Sequence, residues 1–131
     1  MGKGDNMKLS KLVNEVNTEQ ELSQLCNELC EKLTWAMHTR WKHSKETTTH
    51  TYKVGQKYIK IIVCENGEGL QPQHKSVWGF INKSNPNFKE GDVLKAAGWR
   101  TPALNKARGN LFDGYDINPQ TMRIYGPDYL K

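Results

Sequence analysis

The sequence predicts a small α+β protein in which a long N-terminal helix packs on an antiparallel sheet of about four strands, followed by a short C-terminal helix. Three observations predict it: an apolar stripe at helical spacing, then β-branched and aromatic runs separated by turn residues, then a Thr-Pro pair before a short segment that ends at Gly. The length of 131 residues suits one domain. We divide it into a helical part (1–46), a part with the sheet and short helix (47–113) and an irregular tail (114–131).

The long helix is predicted from about residue 19 to about residue 45. Its apolar positions recur every three or four residues, as expected for one buried helix face. They are Leu22, Leu25, Cys26, Leu29, Leu33, Ala36 and Met37. Thr18 and Glu21 have the spacing of a capping box, which predicts a helix start there. A shorter helix over residues 9–16 is predicted to end at Asn17.

The period changes to that of strands after residue 46. Gly55-Gln56 separates two strand-like runs and predicts a type II′ hairpin with Gly55 at the first central position. Alternation in the second run places Ile59, Ile61 and Val63 on one face, and Tyr58, Lys60 and Ile62 on the other. A loop is predicted over 65–73, and further strands over 76–81 and 92–97. Thr101-Pro102 predicts a helix that ends at Arg108, with Gly109 as its cap.

Positive charge is concentrated in two blocks. The formal net charge is +5. Residues 32–60 contain seven Lys or Arg against Glu46 alone, and residues 89–110 contain five against two acids. Aromatic residues lie among these cations, and such a combination is typical of a surface that binds polyanions.

Two segments are therefore candidates for binding nucleic acid: the stretch 88–112 and the end of the long helix. The predicted binding residues are Arg40, Trp41, Lys42, Lys53, Lys57, Lys95, Trp99, Arg100, Lys106 and Arg108. The alternative is structural: Trp99 packs in the core, Trp35 and Trp41 pack onto the sheet, and the cations belong to solvated surfaces. Convergence of Lys42, Lys53, Lys57, Arg100 and Arg108 on one surface would favour the binding hypothesis.

Catalytic and metal-binding motifs are not complete. Cys26 and Cys30 share a helix face but lie on the apolar stripe without a second ligand pair, so neither a metal nor a cofactor is predicted. His74 and Ser76 supply half of the paired signature of two-histidine phosphoesterases, and the second half is missing. No catalytic residue is predicted, and an enzyme acting on a phosphorylated substrate remains the less favoured alternative.

Cysteine usage and hydropathy predict a cytoplasmic protein. The three cysteines are an odd number, which does not suit a disulfide framework. No signal peptide is recognised, and no apolar run approaches the roughly 20 residues that span a bilayer. A membrane partner is therefore not expected.

The stretch 57–113 resembles a group of small uncharacterised proteins of tailed bacteriophages. The resemblance depends on Ser76, Val77, Phe80, Gly91, Asp92, Lys95, Trp99, Pro102, Ala103, Arg108 and Gly109, in the segments SVWGFI and GDVLKAAGWRTPALNKARG. It implies a phage origin, hence the host cytoplasm, and a compact αβ module, but no activity.

The function predicted from these features is that of a non-enzymatic phage protein that binds nucleic acid through a basic and aromatic surface. The alternative is a factor that binds a host protein, in takeover of the host or against its defences. The apolar stripe of the long helix suggests a homodimer for this second function.

Overall fold

The computed structural model describes residues 3–42, 47–65 and 74–128, and the side chains of these residues other than 3–19 and 122. Helix α1 spans Lys3–Arg40. Four strands follow, and the turns after them are 3-10 helices at Leu111–Asp113 and Met122–Ile124. The strands are β1 (Thr48–Val54), β2 (Tyr58–Glu65), β3 (His74–Asn82) and β4 (Val93–Leu94). The predicted α+β fold, with one helix on a four-stranded antiparallel sheet, is confirmed.

Helix α1 differs from the prediction at both ends. It is continuous through Asn17 and Thr18, so the predicted short first helix and the capping-box start at Thr18 were wrong. Asn in a helix interior costs only about 0.7 kcal/mol relative to Ala, and no Gly or Pro interrupts the chain there. At the other end the helix stops at Arg40, and the amide of Trp41 donates to the carbonyl of Met37 (2.9 Å) in a closing turn. The remainder of the predicted extension, residues 43–45, lies outside the described residues.

The apolar stripe of α1 covers one face of the sheet. Leu22, Cys26, Leu29, Cys30, Leu33 and Ala36 are buried in the same core cluster as Ile59, Ile61 and Val63 of β2. The predicted inward face of β2 is therefore confirmed. Because this stripe packs within the chain, it offers no exposed seam for a partner over the part of α1 whose side chains are described.

The sheet has strand order β1-β2-β3-β4, and each neighbouring pair is antiparallel. The hairpin turn lies one residue later than predicted, because the amide of Gly55 donates to the carbonyl of Tyr58 (2.9 Å) and Val54 pairs with Ile59. Gly55 does not have positive φ, so the type II′ prediction was wrong. Gln56 and Lys57 form the tip instead.

The predicted helix over 102–108 is not formed. This segment runs extended beside β4: the amide of Ala103 donates to the carbonyl of Lys95, and that of Arg108 to the carbonyl of Val93 (both 2.7 Å). Thr101 is not an N-cap, since its carbonyl accepts the amides of Ala97 (2.9 Å) and Gly98 (3.1 Å). Pairing with β4 satisfies backbone groups that a helix of two turns would leave largely unpaired at its ends.

The C-terminal tail closes the core on the α1 side. The buried indole of Trp78 donates through Nε1 to the carbonyl of Arg123 (2.7 Å), and Ile124 is fully buried. A side chain at Gly79 would lie 2.8 Å from Cγ of Pro127, so this glycine is what lets the tail approach β3. Within the described residues, no helix has the length and apolarity to cross a bilayer.

Candidate nucleic-acid interface

The outer face of the sheet, opposite α1, presents a groove with four cations. It is lined by Lys53 at the end of β1, Lys57 in the hairpin tip, Lys60 in β2 and Arg100 in the loop after β4. Its volume is about 290 Å³, and none of the described residues that line it is acidic. We call Lys53, Lys57, Lys60, Trp99 and Arg100 the sheet-face cluster.

Strand register places Lys53 and Lys60 side by side. Lys53 pairs directly with Lys60 across β1 and β2, and Lys60 pairs with Phe80 of β3. The phenyl ring of Phe80 in turn meets that of Tyr58 edge-on, with centroids 6.3 Å apart. Paired residues of neighbouring strands share a face of the sheet. Lys53 and Lys60 therefore lie beside the rings of Phe80 and Tyr58, on the face of the sheet that α1 does not cover.

Backbone hydrogen bonds hold the hairpin tip that carries Lys57. The carbonyl of Lys57 accepts the amides of Lys83 (2.8 Å) and Ser84 (3.1 Å). The hydroxyl of Ser84 also donates to the carbonyl of Gln56 (3.1 Å). These bonds attach the hairpin tip to the segment after β3 and fix the backbone positions from which the side chains of the tip extend.

Trp99 and Arg100 come from a second tip, between Ala96 and Pro102, which form an isolated antiparallel bridge. The indole of Trp99 lies under the ammonium of Lys60, with Nζ 4.1 Å from the ring centroid. This is the geometry of a cation–π contact. The contact joins the second tip to the sheet and leaves Trp99 45% exposed, so the alternative that Trp99 packs in the core was wrong.

The cations of the sheet-face cluster raise the local positive potential. The pKa of Lys60 is lowered, first by partial desolvation and then by the positive charges of Lys53 and Arg100. Within the described residues, no carboxylate pairs with Lys53, Lys57, Lys60 or Arg100. A bound anion would relieve this repulsion.

The other predicted residues lie elsewhere. Lys42 is exposed beside Arg40 and Trp41 at the end of α1, which adjoins the start of β1, whereas the groove lies at the end of β1. Seven strand residues separate these places by roughly 20 Å. Lys95 donates to the carbonyl of Pro127 (3.1 Å) on the tail. Convergence is therefore partial: Lys53, Lys57, Trp99 and Arg100 come together, and the other predicted residues do not join them.

Arg108 lines a different and larger groove, of about 710 Å³, together with Lys89, Arg123 and the acids Asp92 and Asp113. Its Nη1 donates to the carbonyl of Lys106 (3.0 Å), and Lys106 itself is exposed. Because acids alternate with cations there, that groove lacks the uniform charge of the sheet-face cluster.

Arg40 and Trp41 have partners within the chain. Nη1 of Arg40 donates to the carbonyl of Pro119 (3.0 Å), and its guanidinium carbon lies 5.6 Å from the centroid of the Trp41 ring. Nε1 of Trp41 donates to the hydroxyl of Tyr125 (2.8 Å). We call Arg40, Trp41 and Tyr125 the helix-end group; its contacts attach the tail to α1.

Lys60 is the member of the sheet-face cluster that sequence reasoning left out of the predicted site. The alternation of β2 already placed it on the outward face, and the correct hairpin register would have placed it beside Lys53. His74 and Ser76, the phosphoesterase half-motif, lie exposed on β3, away from these grooves. The described residues contain no group of three or more His, Cys, Asp or Glu placed to hold a metal ion.

Comparison with known proteins yields one family. A family model described as "Family of unknown function (DUF7717)" matches residues 8–121, a span that includes every strand and the whole sheet-face cluster. No curated protein and no solved structure matches the chain.

Proposed function

We propose that this chain, which belongs to the DUF7717 family of unknown function, is a non-enzymatic protein that binds nucleic acid on the sheet-face cluster. One observation carries the proposal: four cations line a single groove that has no acid among its described lining residues, and one of them rests on an exposed indole. Phosphates neutralise such cations, and aromatic rings stack on bases. The phage origin and the cytoplasmic location stay predictions.

The charge pattern supports a polyanion over a single small anion. Lys53 and Lys60 face each other across two strands, while Lys57 and Arg100 come from separate tips. Cations spread in this way can contact successive phosphates of a backbone. The lowered pKa of Lys60 fits the same reading, because the neighbouring positive charges repel it until a ligand supplies compensating charge.

The test compares two triple variants that lose the same charge. Lys53→Gln/Lys57→Gln/Arg100→Gln removes cations of the cluster; Lys32→Gln/Lys75→Gln/Lys89→Gln removes exposed cations outside it. Affinity for a labelled 20-mer oligonucleotide is measured by fluorescence anisotropy from about 50 to 200 mM salt. We expect the first variant to bind more weakly, with the log–log salt slope reduced by about 0.7 for each lost contact to a single strand.

The matched control should keep the wild-type slope. Equal losses in both variants would show that net charge alone governs binding, which rejects a site on the cluster. Binding by the wild type that does not change with salt would reject the proposal entirely.

The alternative function, binding to a host protein, is favoured by one feature. Trp35, Trp41 and Tyr125 are 57%, 39% and 45% exposed, and large aromatic residues are frequent anchors of interfaces. The dimer prediction loses its original argument, because the apolar stripe of α1 packs on the sheet of the same chain. Sedimentation equilibrium tests the dimer directly, and a strict monomer at micromolar concentration would reject the dimer.

A further inference from the structure

The indole of Trp99 is an unused stacking surface. Lys60 covers the ring from one side at 4.1 Å, yet 45% of the side chain stays exposed. Part of Trp99 is therefore accessible to a ligand beside Lys60. A large aromatic side chain held at the surface in this way offers a face on which another planar group can stack.

The tip that carries Trp99 is held in place before any ligand binds. The amides of Ala97 and Gly98 both donate to the carbonyl of Thr101, at 2.9 and 3.1 Å. The amide of Ala103 donates to the carbonyl of Lys95 (2.7 Å) and ties the tip to the strand beneath. A ring held by such bonds loses less conformational freedom on binding than one on a loose loop.

The cations beside Trp99 are close enough to act on the same ligand. Arg100 is its neighbour in the chain and lines the groove with Lys53, Lys57 and Lys60. The groove volume of about 290 Å³ is at the lower end of the roughly 300–1,000 Å³ typical of small-ligand sites. This size suits a single nucleotide unit, with its phosphate among the cations and its base toward Trp99.

We infer that the ligand of the sheet-face cluster is single-stranded nucleic acid, with one unpaired base stacked on Trp99. The inference rests on the proposed function and names its substrate class. The bases inside a duplex are already stacked on both faces, so a duplex can offer only its phosphates to the cluster. A single strand offers phosphates and free base faces together.

The experiment measures the binding of three ligands to the wild type and two variants. Labelled oligo(dT) and oligo(U) 20-mers, and a blunt duplex of the same length, are titrated with wild-type protein, Trp99→Ala and Trp35→Ala. Trp35 is the matched control, since it is also an exposed tryptophan but lies on α1. We expect Trp99→Ala to weaken single-strand binding about 5- to 150-fold, the range for loss of one stacked base, and to leave duplex binding unchanged.

A second variant separates stacking from folding. Trp99→Phe keeps an aromatic face, and we expect it to retain most of the single-strand affinity that Trp99→Ala loses. Circular dichroism melts of both variants should match the wild type, because Trp99 belongs to a surface tip. Quenching of tryptophan fluorescence by oligo(dT), present in Trp35→Ala and reduced in Trp99→Ala, would locate the stacked base.

The possible results differ in what they overturn. Duplex binding as tight as single-strand binding, with no effect of Trp99→Ala on either, would overturn the single-strand inference and leave the proposed function standing. Equal losses in Trp99→Ala and Trp35→Ala would also overturn it. Failure of the wild type to bind any of the three ligands at low salt would overturn both.

Discussion

The sheet-face cluster and the helix-end group are built from the same kinds of residue and differ in what those residues contact. In the helix-end group, Arg40 and Trp41 donate to Pro119 and Tyr125 on the tail. In the sheet-face cluster, the cations line a groove that has no acid among its described lining residues, and the ammonium of Lys60 lies over the indole of Trp99. Composition alone therefore does not separate a binding surface from a structural attachment. The contacts separate the two: Arg40 and Trp41 are hydrogen-bonded to the tail, whereas the cations of the sheet-face cluster line a groove that a ligand could enter.

The largest expected effect concerns a buried histidine beneath the end of α1, for which the sheet-face cluster has no counterpart. His50 on β1 is buried, with Nδ1 2.9 Å from the hydroxyl of Thr34. Burial, and to a smaller extent the positive charge of the nearby His38, lowers its pKa from 6.5 to about 4. The folded protein thus favours the neutral imidazole.

We therefore expect acid to destabilise the fold through His50. Its contribution is fully present above pH 6.5 and is lost as the pH falls toward 4, because the unfolded chain takes up the proton first. The loss amounts to about 3 kcal/mol of unfolding free energy at most. Urea denaturation across this pH range measures it, with His50→Gln as the variant and Lys60→Gln as the control.

The His50→Gln protein should show a flatter pH profile than the wild type, and Lys60→Gln should show the wild-type profile. If His50→Gln is as acid-sensitive as the wild type, carboxylates elsewhere govern the effect and the contrast between the two regions loses this support.

An intermediate effect is expected from two matched Trp→Phe substitutions. Trp41→Phe removes the indole donor to Tyr125, and loss of one such hydrogen bond costs about 1 kcal/mol of unfolding free energy. Trp99→Phe removes no hydrogen bond between described residues, so its stability should stay within about 0.5 kcal/mol of the wild type. Urea midpoints measure both.

Oligonucleotide affinity should not depend on the helix-end group. Trp41→Phe, and the pair Arg40→Gln/Lys42→Gln, should bind like the wild type, since these residues lie at the far end of β1 from the groove. A loss of affinity in Arg40→Gln/Lys42→Gln as large as that in the cluster variants would mean that the ligand spans both regions.

The fold was largely predictable because it depends on local periodicity. The stripe from Leu22 to Met37 and the alternation of Ile59, Ile61 and Val63 each reflect one buried face, and such patterns are set within a few residues. The predicted helix over 102–108 failed because its cap-like ends compete with hairpin-like pairing to β4. That competitor lies just before Thr101 in the chain, but the helix-cap signals of Thr101-Pro102 and Gly109 do not indicate the pairing.

The candidate site was predictable only in part, for a related reason. A tip placed one residue early would set Lys53 opposite Tyr58, whereas the observed register sets it opposite Lys60. The contact of Lys60 with Trp99 joins residues from separate hairpins, and no spacing within either segment indicates it. Likewise, the sequence does not show that Arg40 and Trp41 are occupied by a tail some 80 residues later.

The smallest expected effect tests the electrostatics of the sheet-face cluster itself. Lys53→Gln removes a positive charge directly across from Lys60, so the lowered pKa of Lys60 should rise toward its ordinary value. Arg100→Gln should act in the same direction, and Lys75→Gln, at the other end of the sheet, should not change it. Titration of the Lys60 side chain by NMR measures the shift. Desolvation is the larger cause of the lowered pKa, so even Lys53→Gln combined with Arg100→Gln should restore only part of the Lys60 pKa shift. A Lys60 pKa that is the same in Lys53→Gln, Arg100→Gln and the wild type would mean that these cations do not interact, and the cluster would then lack the shared field that favours a polyanion.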